Sequence, residues 1–513
     1  MLTLLLAYVL TWVLVQQAQT YLIAKELRPV NRSLKLLLLQ TNLITFIYSL
    51  ALLLSYRPFL AGLITLACCV IFLVVNQAKY KALAEPLVFS DIYLYLQVFT
   101  HPRLFLPFLN LPLTGLALLI GITLLYSAIW LEPSLELELT RIGFTILVLA
   151  CLPVLFISMS KQALAFNLKF EPATDIIKLG FFNSLAIYFI QASQKKNQEA
   201  FRVTIQTQAS YTPRDQLPIE LPNLVVIQSE SFFDPRNLSQ SINPTVLQYF
   251  DDLKSTSIKN GKLTIPAWGA NTLRSEYAFL SGIENQALKH YRFNPYQFIQ
   301  NESSFSIVSY LKSLGYRCIC IHPNHSIFFK RDKVFPLLGF DEFIDISEFD
   351  STQKQGPYIS DQALTAKIQQ VLNDKNNKQP LFIFAITMEN HGPLHLENYL
   401  DSELVQLYRS EPPKQHHDLS IYLKHLKNAD QMLFSLTEDF KTRVESTWLC
   451  WYGDHIPSMP AVYKELNWQD GRSEYLLWNN QQPTQSGLQK DLSIEQLGLE
   501  LLSLAGLGVA NKT

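Results

Sequence analysis

The stretch WLCWYGDHIPSMP, Trp448 to Pro460, is an almost unbroken apolar run that stops at Asp454 and His455. Short apolar runs bounded by turn signals read as fully buried strands, so the polar pair stands at a strand's carboxyl end. Three other runs repeat the pattern: Leu224–Gln228 is followed by Glu230, Tyr316–Ile321 by His322, and Leu381–Thr387 by Asn390 and His391. In open α/β sheets ligands bind in the crevice beyond the carboxyl ends of the strands. Four polar groups at the same edge therefore predict one site.

Between these strands the pattern predicts helices over Ser306–Leu314, Ser360–Asn373, Leu419–Phe440 and Ser493–Leu507, and alternation of this kind implies an α/β fold with a mostly parallel central sheet. Upstream the composition changes. Leu2–Ala24, Leu37–Ser55, Phe59–Val75, Leu111–Trp130 and Ile142–Met159 are each long and apolar enough to suggest a bilayer crossing, and the first lacks the basic start and cleavage site of a signal peptide. The chain thus divides into a helical transmembrane domain of about five helices (1–160), a juxtamembrane segment and linker (161–222), and an α/β domain (223–513). Asp175–Lys196 holds an apolar stretch shorter than a span and is expected at the membrane surface, as is the segment Leu83–Phe108, broken by Pro86, Asp91, His101 and Pro102.

A net charge of −1 without basic tracts gives no case for nucleic acid. The six cysteines all fall in apolar runs and read as buried thiols.

Glu230, Asp454 and His455 offer two carboxylates and an imidazole, a mixed oxygen and nitrogen set suited to Mn2+, Zn2+ or Mg2+; Asp454 and His455 could instead be solvated residues of a turn. In PAWGANTLRSEYAFLSGI, Pro266–Ile283, Thr272 stands where loop becomes helix, either as a hydroxyl aimed at a metal with helix N-terminal amides nearby or as a simple N-cap. In HPNHSIFFKRD, Arg331 could hold a phosphate, or pair on the surface with Asp332 or Asp345.

Taken in order, these motifs resemble the lipoteichoic acid synthase and phosphoglycerol transferase group, membrane-anchored members of the alkaline phosphatase and sulfatase superfamily. The residues that carry the resemblance are Glu230 in VVIQSESF, Thr272 four before Glu276 in TLRSEY, His322, Phe329, Arg331 and Asp332 in an H-x6-aromatic-x-R-D pattern, the Asn390–His391 pair, and Gly453, Asp454 and His455. Phe329 stands where lipoteichoic acid synthases carry Trp. The C-x-P-x-R nucleophile motif of formylglycine sulfatases is absent, as is a G-E-T-x-R-like motif of phosphoethanolamine transferases.

The resemblance implies an extracytoplasmic, sulfatase-like catalytic domain holding one divalent metal ion, Mn2+ first with Mg2+ or Zn2+ as alternatives, on Glu230, Thr272, Asp454 and His455. Thr272 is the implied nucleophile and His391 a second catalytic group; His322, Phe329 and Arg331 line the head-group pocket. The implied enzyme is a phosphotransferase that moves a phosphoglycerol-type head group from a membrane phospholipid, phosphatidylglycerol favoured, through a phospho-threonine to an envelope glycan or polymer. A phosphodiesterase or sulfatase-type hydrolase on the same fold is the alternative.

The implied location is the bacterial cytoplasmic membrane, multi-pass, with the catalytic domain outside. Against that orientation, Lys25, Arg28, Arg32 and Lys35 follow the first helix and Lys79, Lys81 and Arg103 the third, which would make those loops cytoplasmic. Either the charge rule fails here or Leu179–Ile190 is a sixth crossing; its shortness and Asn183 favour five.

Overall fold

The computed structural model describes residues 2–30, 33–95, 98, 102–104, 109–135, 141–207, 211–212, 217–299, 304–482 and 487–510. Arg32 and His101, used in the sequence reading, lie outside them. Two compact units emerge, Met1–Gln198 and Glu199–Thr513.

The first unit contains five helices long and apolar enough to cross a membrane: α1 Leu2–Leu22, α2 Leu34–Ser55, α3 Pro58–Leu83, α4 Leu111–Leu131 and α5 Arg141–Ala163. Their exposed faces carry large apolar side chains, as in Leu118, Leu119 and Ile122 of α4, the reverse of a helix solvated by water. Asn110 caps α4 by accepting from the Leu113 amide, and Ser33 does the same for α2 from Leu36. The stretch expected at the membrane surface forms two helices, α6 Pro172–Leu179 and α7 Phe181–Ala192, bent by 115°. The bend falls at Gly180, whose φ of +85° is open to glycine. Ten of the twelve residues of α7 are buried, and Asn183 donates to the carbonyls of Leu36 and Leu179. Its amide nitrogen is thus satisfied inside the bundle.

Beyond α3, the segment with Asp91 folds back onto the unit. Lys79 is buried and its Nζ lies 2.6 Å from both Glu85 and Asp91, while Asp91 also accepts from the Val88 amide. Leu87 and Val88 are consequently held in the apolar interior.

The second unit is built on a mixed sheet. Its main strands are β1 Asn223–Ser229, β2 Lys259–Thr264, β3 Arg317–Ile321, β4 Glu342–Ile344, β5 Leu381–Ile386, β6 Thr447–Gly453 and β7 Ser473–Asn479, in the order β2-β7-β6-β1-β5-β3-β4. From β6 to β4 all neighbours are parallel; β7 runs antiparallel between β6 and β2. Each of β1, β5 and β6 is buried nearly throughout, which explains why they read as continuous apolar runs. The strands β2 and β7 escaped the sequence reading. In KNGKLT the charged Lys259 and Lys262 pair with Glu500 and Glu474, so an apparently polar segment is buried by ion pairing. Around the sheet pack α8 Thr272–Ser281, α9 Asp361–Leu372 and α10 His417–Lys441. The helix over α8, wholly buried, is likewise more than a loop exit.

Removing one member of a buried ion pair costs about 3–5 kcal/mol because the other charge is left uncompensated. Lys79→Met should therefore lower the thermal midpoint of the detergent-solubilised protein by several degrees in scanning fluorimetry. A midpoint equal to the wild type's would show that Lys79 does not anchor this segment.

Candidate active site at the carboxyl edge of the sheet

The register brings the site together. Ser229 of β1 lies opposite Gly453 of β6, so the next residues, Glu230 and Asp454, emerge side by side. A Cβ on Gly453 would stand 1.9 Å from the Phe232 carbonyl oxygen, and only glycine allows that approach. Ser231 then turns the chain with φ of +57°. Its amide donates to Asp454 Oδ1 (2.8 Å) and its hydroxyl to Glu230 Oε1 (2.9 Å). Thr387, just past β5, accepts the Glu230 amide.

His455 donates from Nδ1 to the Ile456 carbonyl at 2.9 Å, which leaves Nε2 as a lone-pair donor. That atom lies 3.4 Å from Glu230 Oε1, 3.4 Å from Asp454 Oδ2 and 3.5 Å from Thr272 Oγ1. All four side chains are buried, and Asp454 Oδ2 has no hydrogen-bond partner among the described residues. Converging acceptors with an orphaned carboxylate oxygen are what a divalent cation relieves, and the oxygen and nitrogen donor set fits one. Among the described residues, Glu230, Asp454 and His455 form the one cluster of acidic, His or Cys groups close enough to hold a metal.

The buried carboxylates repel one another. Burial first, then the Glu230 charge, pushes Asp454 up to about 6. Burial opposes a charge on His455, but the Asp454 and Glu230 carboxylates raise its pKa nonetheless.

Thr272 is the first residue of α8; Asn271, in the left-handed region and making no side-chain capping bond, holds the cap position. The hydroxyl of Thr272 is thus not used as a cap. One turn on, on the same helix face, Glu276 receives Arg331 in two bonds, Nε to Oε1 at 3.1 Å and Nη2 to Oε2 at 2.8 Å, plus the Tyr296 hydroxyl at 2.7 Å. Arg331 is buried and pairs with neither Asp332 nor Asp345; the surface alternatives are corrected by a contact across the fold that local spacing does not reveal. Its guanidinium lies 5.1 Å from the Phe329 ring centroid.

His322, after β3, donates from Nδ1 to the Ile386 carbonyl. Burial chiefly, with the charge of Arg331 and a smaller effect of His391, holds its pKa well below the usual value, so it is a neutral imidazole. His391, after β5, is half-buried and its Nδ1 is 2.7 Å from the Gly392 carbonyl. The sequence reading missed what lies behind it. Glu389 accepts from the Asp361 amide at 2.8 Å and from His425 Nδ1 at 3.1 Å, and the other imidazole nitrogen of His425 meets Glu397. Nothing in the spacing of these residues signals a shared network.

The sulfatase family profile matches residues 222–507, and the chain belongs to the sulfatase family. Among individual proteins, it is 28% identical over 450 residues to the capsular polysaccharide biosynthesis protein RkpI of Rhizobium meliloti, covering 82% of this chain and 78% of the relative. It is also 28% identical over 251 residues to a putative cyclic β-1,2-glucan modification protein of the same organism, covering 49% of this chain and 38% of that one. In architecture it is similar to the integral membrane protein lipooligosaccharide phosphoethanolamine transferase A from Neisseria meningitidis, with a TM-score of 0.54 across 88% of each chain at 11% identity. Five long apolar helices followed by a sulfatase-like domain are thus a known arrangement.

Cation binding must displace protons from a carboxyl group raised to about 6. Affinity for Mn2+, measured by calorimetry, should fall as pH is lowered through the neutral range, because His455, whose pKa is also raised, must give up its Nε2 proton as well, by on the order of tenfold per unit for each proton displaced. A flat profile down to pH 4 would exclude Asp454 as a ligand. Gly453→Ala, which drives a methyl group into the Phe232 carbonyl, should lose Mn2+ binding even where the protein still folds, as judged by circular dichroism.

Proposed function

We propose that the protein is a membrane-bound phosphotransferase that moves a phosphoglycerol-type head group from a phospholipid to an envelope glycan by way of a phospho-threonine. The observation that carries this reading is the uncapped, buried Thr272 hydroxyl at a helix N-terminus, 3.5 Å from His455 Nε2 and beside two carboxylates. The absence of a cysteine at this position removes formylglycine chemistry. A divalent cation on Glu230, Asp454 and His455, when bound, would supply positive charge for the threonine oxygen and the phosphoryl oxygens.

The chain's own groups then take these roles. Thr272 enters as its alkoxide, its proton having passed to water, and Oγ1 attacks phosphorus, forming the Oγ1–phosphorus bond as the bond to the diacylglycerol oxygen breaks. His391, whose Nδ1 is occupied by the Gly392 carbonyl, has Nε2 to give the departing alkoxide a proton. In the second step the same nitrogen takes the proton of the acceptor hydroxyl, which attacks the phospho-threonine and releases Thr272. The N-terminal amides of α8 face the anionic intermediate. Neutral His322 and Phe329 line the head-group side, and Arg331, fixed by Glu276, sets a positive charge there without freedom to swing. Phosphatidylglycerol is the donor of choice.

The acceptor reading draws on the relatives' names, which concern capsular polysaccharide and cyclic glucan. Location at a bacterial inner membrane, with the catalytic unit outside the cytoplasm, follows from the same reading. Tethering to the bilayer raises the effective concentration of the domain at lipid head groups.

Incubating the purified full-length protein with Mn2+ and phosphatidylglycerol should add the mass of one glycerol phosphate to the intact chain. Thr272→Ala should show no adduct and a turnover reduced by at least ~10³-fold. Glycerol phosphate appearing free in water at the same rate with and without a glycan acceptor would replace the transferase reading by a hydrolase.

A further inference from the structure

A second segment crosses the loop that carries His391. Lys354–Gln355 and Tyr358–Ile359 form a small antiparallel hairpin, with Lys354 opposite Ile359 and Gln355 opposite Tyr358, and α9 starts two residues beyond it at Asp361. Hairpin and loop meet at three points. Gly356 lies so close to the Glu397 carboxylate that a Cβ there would strike it. The Tyr358 hydroxyl donates to the Gly392 carbonyl at 2.9 Å. The Asp361 amide donates to Glu389 at 2.8 Å. The contacts run forward along one segment and backward along the other, so residues 356–361 lie antiparallel along residues 389–397, with His391 beside the middle contact.

That middle contact bears on the chemistry. The Gly392 carbonyl receives two donors, the Tyr358 hydroxyl and His391 Nδ1, the latter at 2.7 Å, one for each lone pair of the oxygen. A carbonyl cannot donate, so in the neutral ring Nδ1 carries the proton and Nε2 the lone pair. The bond from Nδ1 joins neighbouring residues, and by itself it does not fix a carbonyl that turns with its own peptide. Packing does not fix it either: apart from its chain neighbours, a Cβ at Gly392 would meet nothing nearer than the Leu394 amide nitrogen at 3.7 Å. Upstream the loop is tied at Glu389; at Gly392 the Tyr358 hydroxyl takes that part. The Tyr358 ring, half-buried like His391, stands edge-on to the imidazole with centroids 5.5 Å apart, which limits how far the imidazole can turn.

We propose that Tyr358 is a positioning residue for His391: by holding the Gly392 carbonyl as the acceptor of Nδ1–H, it keeps Nε2 bare and aimed as the nitrogen that exchanges protons with the leaving and acceptor oxygens. The proton-exchange role rests on the transferase reading; the tautomer does not.

Two measurements on the full-length protein in detergent separate these parts. Nitrogen-15 NMR of histidine-labelled protein in alkaline buffer, with the His391 signal assigned by its loss in His391→Gln, should show Nδ1 protonated and Nε2 bare in the wild type. Tyr358→Phe, which keeps the ring and removes one oxygen, should give a mixture of both tautomers. An unchanged pattern in Tyr358→Phe would overturn the proposal whatever the substrate. Turnover of phosphatidylglycerol with Mn2+ should fall on the order of tenfold in kcat in Tyr358→Phe with KM unchanged, part of the ~10²–10⁴-fold that a general acid–base group contributes. The same substitution made in His391→Gln should cost nothing further, since its effect passes through that ring. An equal loss in both backgrounds would make Tyr358 a structural or substrate-contacting residue and sink the proposal. A wild type with neither turnover nor adduct would end the transferase reading, and the NMR result would then decide the positioning of His391 alone.

Discussion

Three ligand-type atoms of Glu230, Asp454 and His455 face one buried point, and the surrounding fold is organised to keep them there in spite of their repulsion. Two carboxylates removed from water at this separation cost several kcal/mol unless a cation joins them. The strain is visible in Asp454, pushed up to about 6. What holds it is backbone: the Ser231 and His455 amides both donate to Asp454 Oδ1, and Oδ2 is left pointing inward. The parallel register of β1 and β6 then matters more than any side chain, because a shift of one residue would turn Glu230 or Asp454 to the other face.

A second constraint fixes the nucleophile. Helix α8 is wholly buried, and its one internal carboxylate, Glu276, is matched by the guanidinium of Arg331 in two parallel bonds. The Ser275 hydroxyl meanwhile donates to the Asp454 carbonyl. Thr272 therefore cannot drift from the cluster without breaking an ion pair and a hydrogen bond to the turn that carries Asp454. The same pair brings the chain segment of His322 and Phe329 to the helix face that Thr272 shares, so positioning of the hydroxyl and of the pocket wall has one physical cause.

Much of this was legible in the amino-acid order. Strands buried on both faces are near-continuous apolar runs, and β1, β5 and β6 were found from that alone; a polar residue ending such a run is conspicuous, which is how Glu230 and Asp454 stood out. The strands β2 and β7 were not legible, because Lys262 and Glu474 pair across the sheet and Lys259 is hidden by pairing with Glu500 on the helix Ile494–Leu504. The Arg331–Glu276 pair joins residues far apart in sequence, where nearby acids looked equally suitable. The short apolar stretch around Asn183 likewise reads as too polar to be interior. Its amide nitrogen is satisfied by carbonyls on α2 and α6 that sequence cannot align.

The network behind His391 shows how a fold secures a loop that must also remain open. His425 is raised to about 9 in spite of burial, through its bonds to Glu389 and Glu397, so it carries a positive charge between two carboxylates. Asp361 stands on the same side, and burial together with the Glu389 charge raises its carboxyl well above the ordinary range, which keeps it from adding a further negative charge. Glu389 is thereby tied to the first amide of α9 and to the side of α10 at once. Two residues later the chain presents His391, only half-buried. The backbone is anchored by charges it keeps out of water, and the imbalance between a fixed Glu389 and an accessible His391 lets one short loop serve both rigidity and contact with a ligand.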